Sequence, residues 1–329
     1  MKISRIRIFR ADLPMIEGSY SWSTQSHAGF DTTVVLVDTD EGLTGVGECC
    51  PLGPTYLPAY AHGVRAGIAQ LGPHLIDEDP TQLDRINSLM DAQLKGHPYV
   101  KSAIDMACWD ILGKVTGLPV YVLLGGKLQE KVTLYKVVSR ADPNAMAERI
   151  PEYRNQGFRQ FQVKVGEDPS TDIIRIHRVA EEMKAGEVLN ADANTGWKQH
   201  EALQVAHAIA DIGRQTGIRL TFEQPCLSYH ECLAVRQHTN LPFVLDECMD
   251  SISALLQAQH DHAMDMINLK ISRFGGITRA RQVRDLCVSL GLPMNVEDSW
   301  GGEITTAAIA HLAHSTPPAF QFQSSAFHE

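Results

Sequence analysis

Charged residues close a series of short apolar segments in the second half of the chain, and this regular series constrains the fold more than any other feature. The segments are QFQVKV, VLNADAN, LTFEQP, PFVLDE, MINLKIS and PMNVED, which carry, in order, Lys164, Asp192, Glu223, Asp246, Lys270 and Asp298. The intervals between these residues are 28, 31, 23, 24 and 28. An eight-fold β/α barrel of about 250 residues uses roughly 31 residues for each strand and its helix, so each interval fits one unit. The charged residues fall at or near the C-terminal ends of the segments, where such a barrel has its active site.

Strand and helix patterns alternate along the whole of residues 126–329. VTLYKVV precedes the six segments above and AFQFQS follows them, with helical patterns between neighbouring segments. This gives eight strands and seven helices, so the eighth helix of an ideal barrel is missing or comes from elsewhere. Alternating strands and helices imply a parallel sheet, and eight strands imply closure into a TIM-type barrel.

Residues 1–125 follow a different pattern, in which strands come first and helices follow. ISRIRIFRADLP and TTVVLVDTDEGLTGVGE predict an antiparallel meander, and residues 63–117 show helical periodicity. Polar, aromatic-bearing loops are predicted at residues 17–30 and 49–58. We therefore predict an α+β domain that ends near Gly125, with the barrel beginning at residue 126.

Composition excludes several classes of partner. The formal net charge of -10 argues against a general affinity for nucleic acid or anionic membranes. The N-terminus lacks the pattern of a signal peptide, and no apolar stretch is long enough to span a bilayer. Seven cysteines, none in a CxxC pair, favour a reducing cytoplasm over a disulfide-forming compartment.

Three carboxylates on consecutive strand ends predict a metal site. Asp192, Glu223 and Asp246 would supply oxygen ligands only, which suit a hard cation such as Mg²⁺. The absence of His or Cys at these positions argues against zinc. The alternative is that unrelated acidic residues solvate the barrel mouth, as they often do.

Two lysines flank the carboxylates in the sequence. Lys164 and Lys270 belong to the second and sixth strands of the predicted barrel, so a substrate on the metal would have one ammonium on each face. Lysine is usable as a base near neutral pH when burial or other cations shift its pKa. The alternative is that each lysine pairs with a neighbouring carboxylate, and Glu247 could serve Lys270.

Several segments together resemble the mandelate racemase and muconate lactonizing enzyme branch of the enolase superfamily. They are VKSAIDMACWDILGK, QVKVG, NADAN, EQP, LDE, LKISRFGGIT and VEDSWGG, and the resemblance covers nearly the whole chain. It implies an α+β capping domain (residues 1–125) over a (β/α)7β barrel (residues 126–329), usually in a homo-oligomer. It also implies Mg²⁺ held by Asp192, Glu223 and Asp246. The metal would chelate a substrate carboxylate while a base removes the α-proton to give an enediolate. Asn194, Gln224 and Glu247 are predicted to orient the ligands.

One residue departs from the pattern of that branch. Its members commonly have two lysines, as KxK, where this chain has Gln162, Val163 and Lys164. A neutral glutamine offers hydrogen bonds to a substrate carboxylate instead of a second positive charge. This form resembles the sub-group that acts on proline-type amino acids and betaines, by 2-epimerisation or by dehydration of 3-hydroxyproline.

Four further residues are predicted to bind the substrate. Trp22 and Tyr56 lie on the two predicted loops of the capping domain, and Trp300 follows the seventh barrel strand beside Asp298. Aromatic faces attract protonated or quaternary amines, and Asp298 could pair with such a charge. The alternative is that Trp22 and Tyr56 only pack the capping domain.

These observations predict Mg²⁺-dependent α-proton abstraction from a small carboxylate substrate. Two opposed lysines could invert the α-carbon, so a racemase or epimerase of a proline-type amino acid or betaine is the first choice. The alternative is a dehydratase of a 3-hydroxy amino acid, with one lysine as base and the other as acid. A non-catalytic metal-binding barrel and a glycosidase barrel remain further alternatives, although a glycosidase does not need facing lysines.

Overall fold

The computed structural model describes residues 1–325, which pack into two compact units. The first unit comprises Met1–Pro14, Gly29–Val132 and the chain from Leu269 onward. The second unit comprises Met15–Ala28 and Thr133–Asn268. Within the described residues, no helix combines the length and apolarity needed to cross a membrane.

The N-terminal strands form the antiparallel meander that the sequence predicts. They are β1 (Ile3–Pro14), β2 (Tyr20–Trp22), β3 (Gln25–His27), β4 (Gly29–Thr39) and β5 (Thr44–Cys49). The order β1-β4-β5 makes a three-stranded sheet, and β2 pairs with β3 in a separate hairpin. This hairpin lies within the polar, aromatic-bearing loop predicted at residues 17–30, so part of that predicted loop is instead a pair of short strands.

Four helices follow the antiparallel sheet: α1 (Ala61–Leu75), α2 (Leu83–Gln93), α3 (Pro98–Thr116) and α4 (Val120–Leu123). Apolar residues of β4 and of α1–α3 share one fully buried core, which includes Val35, Ile68 and Ile104. Helix α3 lies close against β5. A Cβ atom on Gly47 would stand 1.9 Å from the carbonyl oxygen of Ala103, so only glycine permits this approach.

Eight parallel strands run in sequence order through the rest of the described chain. They are β6 (Lys136–Val138), β7 (Gln160–Lys164), β8 (Val188–Asp192), β9 (Arg219–Glu223), β10 (Phe243–Leu245), β11 (Met266–Lys270), β12 (Met294–Glu297) and β13 (Gln321–Ser324). The helices between them are α5 (Pro143–Asn155), α6 (Pro169–Glu182), α7 (Gln199–Ile209), α8 (Ile212–Thr216), α9 (Tyr229–Arg236), α10 (Ile252–His260), α11 (Ile271–Phe274), α12 (Ile277–Leu290) and α13 (Glu303–His314). The predicted fold, a (β/α)7β barrel with an N-terminal α+β capping domain, is confirmed. The boundary at residue 125 stays a prediction.

Buried polar side chains line part of the barrel strands. Barrel interiors are usually filled by branched apolar residues. In the second unit, buried Gln162, Asn190, Thr221 and Asn268 instead stand two residues before a strand-end position. Because strand residues two apart share a face, these side chains lie on the same face as the charged strand ends. The polar layer therefore supports the site described next.

Candidate active site

Three of the predicted site residues end neighbouring strands at the same level. Lys164, Asp192 and Glu223 are the last residues of β7, β8 and β9, and the register pairs Lys164 with Asp192 and Asp192 with Glu223. Asp246 comes directly after β10. The three carboxylates are at most 1% exposed. Buried carboxylates need compensating charge or hydrogen bonds, so their partners decide what the site can do.

Lys164 forms an ion pair with Asp192. The Lys164 Nζ lies 2.5 Å from Asp192 Oδ2, and the backbone N–H of Asn194 donates to Asp192 Oδ1 at 2.8 Å. Burial on its own would lower the pKa of Lys164. Burial is the largest single effect, but the negative charges of Asp192, Tyr20 and Glu223, together with the hydrogen bond to Asp192, outweigh it, so the pKa of this lysine is raised above its usual value.

The Glu223 carboxylate is held by amide side chains. Gln162 Nε2 lies 3.3 Å from both of its oxygens, and Asn268 Nδ2 lies 2.6 Å from Oε1. Asn190 Nδ2 donates to Oε2, while its own Oδ1 accepts from Thr221. In this structure Gln162 therefore contacts a predicted metal ligand, and its predicted contact with a substrate carboxylate stays a prediction. Asn190 and Asn268 were missed, although their spacing from the strand ends could have revealed them.

The residues after two of the strand ends hold the turns in a strained conformation. Asn194 and Gln224 have positive φ angles of 42° and 31°, which are uncommon for non-glycine residues and concentrate at functional sites. Asn194 Nδ2 donates to Glu247 Oε1 at 3.0 Å. Gln224 Oε1 accepts the backbone N–H of Asp246 at 2.8 Å. Gln224 thus fixes the backbone at Asp246 rather than a carboxylate, and Asn194 connects Asp192 with Glu247.

The β2–β3 hairpin places aromatic rings near Lys164 within the second unit. The ring of Tyr20 lies 5.9 Å from Lys164 Nζ, a contact that the sequence did not predict. Trp22, a predicted substrate contact, is buried and stacks on His27 with a centroid distance of 5.0 Å. The Ser23 hydroxyl donates to the carbonyl of Gly166, which follows β7. This hydrogen bond therefore holds the hairpin against the C-terminal end of β7, the strand that carries Lys164.

A second group of charged residues surrounds Lys270 in the first unit. Lys270 ends β11, and its Nζ lies 2.9 Å from the Tyr56 hydroxyl and 3.5 Å from Glu297 Oε1. Arg273, on the short helix α11, also donates to the Tyr56 hydroxyl at 2.9 Å. Arg273 was missed because the predicted strand segment MINLKIS ends just before it. Tyr56, predicted as a substrate contact, thus lies directly on the second predicted lysine.

Asp298 lies in the same unit, directly after β12, and is engaged by the protein. Its Oδ2 accepts from the backbone N–H and hydroxyl of Ser272, and its Oδ1 accepts the backbone N–H of Ser299. Burial raises the pKa of Asp298 to about 6, because these hydrogen bonds only partly compensate for lost solvation. Trp300 packs against Phe30 with a centroid distance of 5.0 Å. The predicted roles of Asp298 and Trp300 toward a substrate stay predictions.

Asp298→Asn is expected to become more stable relative to the wild type as the pH rises. The folded pKa of about 6 lies above the ordinary value of 3.8, so ionising Asp298 in the folded state lowers stability as pH rises through that window. A shift of about two pKa units corresponds to about 3 kcal/mol of unfolding free energy. The wild type loses this stability as Asp298 ionises, whereas Asn at this position does not ionise and does not lose it. Loss of a hydrogen bond in Asp298→Asn would change the stability of the variant by the same amount at every pH. Urea unfolding of both proteins between about pH 4 and pH 7 measures the difference. Parallel stability profiles would contradict the raised pKa.

The three predicted ligands fit Mg²⁺ by their chemistry. In the part of the chain that the structure describes, no three His, Cys, Asp or Glu side chains are grouped as a ready metal site. Asp192, Glu223 and Asp246 nevertheless supply buried oxygens from consecutive strands, the donor type that Mg²⁺ takes. Asn194 Oδ1 is a further buried oxygen beside them, with no hydrogen-bond partner among residues 1–325. The set therefore suits a small hard cation.

Comparison with known proteins agrees with this geometry. Residues 8–125 match the model for the mandelate racemase/muconate lactonizing enzyme N-terminal domain, and residues 145–329 match the enolase C-terminal domain-like model. The chain is 52% identical to cis-3-hydroxy-L-proline dehydratase from Roseibium aggregatum, covering 99% of this chain and 88% of that protein. It is 30% identical to N-succinyl-L-Arg/Lys racemase from Bacillus cereus, covering 96% and 85%. A solved mandelate racemase/muconate lactonizing enzyme from Roseovarius nubinhibens, complexed with magnesium, superposes with a TM-score of 0.92. It is 36% identical to this chain, covering 98% of this chain and 87% of that one.

Proposed function

The chain belongs to the mandelate racemase/muconate lactonizing enzyme family of the enolase superfamily, and on that premise we propose that it dehydrates a 3-hydroxy amino acid of the cis-3-hydroxy-L-proline type. The observation that carries the proposal is the 52% identity to a dehydratase of that name, against 30% to the Bacillus cereus racemase. This similarity favours the alternative predicted from sequence over its first choice, an epimerase.

The stereochemistry of that substrate suits two lysines. In a cis-3-hydroxyproline the hydroxyl and the carboxylate share one face of the ring, so the α-proton lies on the opposite face. Removing the proton and protonating the leaving hydroxyl therefore require two groups on opposite faces. Lys164 and Lys270, on the second and sixth barrel strands, are our candidates for this pair.

The proposed reaction balances as a loss of water. One lysine, as the neutral amine, takes the α-proton from carbon 2. The bond between carbon 3 and its oxygen then breaks, and the other lysine, as the ammonium ion, gives the leaving hydroxyl a proton. The enamine that remains tautomerises to a cyclic imine and hydrolyses to a 2-oxo acid.

We propose that Asp192, Glu223 and Asp246 hold Mg²⁺. When bound there, the ion would neutralise the carboxylates that raise the pKa of Lys164 and would stabilise negative charge on the substrate carboxylate. Asn190 and Asn268, with Gln162, keep the Glu223 carboxylate in place by hydrogen bonds. In the other unit, Asp298 and Trp300 are our candidates for binding the ring ammonium group.

Incubation with cis-3-hydroxy-L-proline and Mg²⁺ is expected to yield the cyclic imine and its 2-oxo acid, detected by mass spectrometry. The matched control is trans-3-hydroxy-L-proline, whose hydroxyl and α-proton share one face. We expect little or no product from this isomer, since both proton transfers would fall on one side. Equal turnover of the two isomers would contradict the opposed-lysine assignment.

An epimerase of a proline-type amino acid or betaine is the second candidate, which the similarity to a racemase favours. The same two lysines would then take the α-proton on one face and return a proton on the other. Deuterated water separates the two functions. A deuterated product of inverted configuration, formed without loss of water, would show epimerisation instead of dehydration.

A further inference from the structure

The Tyr56 hydroxyl accepts hydrogen bonds from two cationic side chains at once. Lys270 Nζ and Arg273 Nη2 each lie 2.9 Å from its oxygen. The same cations lie 5.4 Å and 5.9 Å from the centre of the Tyr56 ring. Arg273 is 1% exposed, so its charge is poorly screened by solvent. A loop tyrosine is thus held by one predicted catalytic residue and by an arginine that no sequence pattern assigned.

Two positive donors on one phenol oxygen favour a negative charge on that oxygen. An arginine keeps its proton in proteins, whereas a lysine can give its proton up. The Tyr56–Lys270 pair can therefore share one proton in two ways. Either Lys270 is an ammonium beside a phenolate, or Lys270 is an amine beside a phenol. The net charge is the same in both states, and Arg273 beside the phenol oxygen stabilises the phenolate of the state in which charge is separated.

Other titratable groups in the first unit act on the same pair. Glu297, on β12, lies 3.5 Å from Lys270 and favours the ammonium form. Asp298 has a raised pKa because it is buried, and the charge of Lys270 acts on it. Burial also raises the pKa of Tyr99 on α3, while Arg273 opposes that rise. The hydroxyl of Tyr99 lies 2.8 Å from Ser299 and is engaged there. Tyr56 is the tyrosine whose oxygen meets both cations.

We propose that Tyr56 acts through Lys270 as its proton-transfer partner, and that Arg273 positions the phenol oxygen for this exchange. The proposal deepens the proposed function, since it rests on Lys270 being one of the two acid/base groups. In the exchange one proton passes between Lys270 Nζ and Tyr56 Oη, and no other bond changes. Whichever role Lys270 has, Tyr56 resets it, by taking a proton to leave the amine or by giving one to restore the ammonium, and Tyr56 then returns to its starting form by exchanging that proton with water.

Tyr56→Phe is the direct test, and Tyr60→Phe is the matched control because Tyr60 is an exposed tyrosine close to Tyr56 in the sequence. Tyr56→Phe is expected to lower kcat roughly tenfold to a hundredfold, with little change in KM and an altered pH profile of kcat/KM. Tyr60→Phe should match the wild type. A raised KM with kcat unchanged would show that Tyr56 is only a substrate contact and would overturn the proposal.

A spectroscopic measurement tests the proposal without any substrate. Ultraviolet titration of the full chain should show a tyrosinate band in the wild type that forms at lower pH than that of an ordinary tyrosine, and that Tyr56→Phe lacks and Tyr60→Phe keeps. Arg273→Gln should move that ionisation to higher pH, and Arg273→Lys should largely restore it. If Arg273→Gln does not fold, the titrations of Tyr56→Phe, Tyr60→Phe and Arg273→Lys still test the proposal. Identical titrations of wild type and Tyr56→Phe would overturn the proposal. A Tyr56-dependent band in a protein that dehydrates no hydroxyproline would reject the proposed function and keep this inference.

Discussion

Replacing Lys164 or Lys270 by methionine is expected to lower kcat for dehydration by roughly a thousandfold. Methionine keeps most of the length and packing of each lysine but can neither take nor give a proton. Both lysines end barrel strands and are buried, Lys164 against Asp192 and Lys270 against Tyr56. Steady-state kinetics with cis-3-hydroxy-L-proline measures the loss. Full turnover by both variants would reject the two-lysine proposal.

Exchange of the α-proton in deuterated water would show which lysine is the base. The variant that lacks the base should lose both exchange and dehydration. The variant that lacks the acid should lose dehydration while still exchanging the α-proton, because the first proton transfer remains. Lys95→Met, at an exposed position, is the matched control and should behave as the wild type does.

Loss of folding must be separated from loss of chemistry in these variants. Lys164→Met leaves the buried Asp192 carboxylate without its cation, which lowers stability by about 3–5 kcal/mol in comparable buried pairs. Circular dichroism and thermal unfolding of each variant are therefore needed beside the kinetics. If a variant is folded and still shows the expected loss of kcat, the lysine acts in the reaction and the loss is not due to unfolding.

The barrel was predictable because two independent signals coincide in its sequence. Each strand is a short apolar segment, and a charged residue marks the C-terminal end of six of them at intervals of one strand and helix. The β2–β3 hairpin was not predictable in this way, since YSW and QSH are three-residue strands with polar members. Strands that short contain too few residues for an alternating pattern to show.

The partners of the site residues were harder to predict than their positions. Sequence placed Glu223 at a strand end, but which amides would reach it depends on side chains from three other strands. Gln162 was interpreted from its place beside Lys164, whereas the structure shows it donating to Glu223. Arg273 comes one helical turn after a strand end, in a helix of four residues that periodicity cannot detect. Contacts between side chains of different strands and helices depend on how the strands align in the folded protein, and a single sequence does not specify that alignment.

Glu223→Gln is expected to abolish the stabilisation of the protein by Mg²⁺ and to lower kcat roughly a thousandfold. Gln has the shape of Glu but no charge, and its amide oxygen can accept from only one of Asn190 and Asn268, while its amide nitrogen would face the other donor. A ligand that binds only the folded state at a hundred times its Kd adds about 2.7 kcal/mol to stability. Wild-type protein treated with a chelator should therefore unfold at a higher temperature after Mg²⁺ is restored.

The variant separates metal binding from catalysis because thermal unfolding needs no substrate. Glu223→Gln should show little change in unfolding temperature on adding Mg²⁺, and calorimetric titration should show weakened binding. Glu130→Gln is the matched control, since Glu130 is exposed and forms an ion pair with Lys127 at the surface, where such pairs add little stability. An undiminished Mg²⁺ effect in Glu223→Gln would remove Glu223 from the ligand set. Because Asp192 and Asp246 flank it on the neighbouring strand ends, that result would also count against the site as a whole.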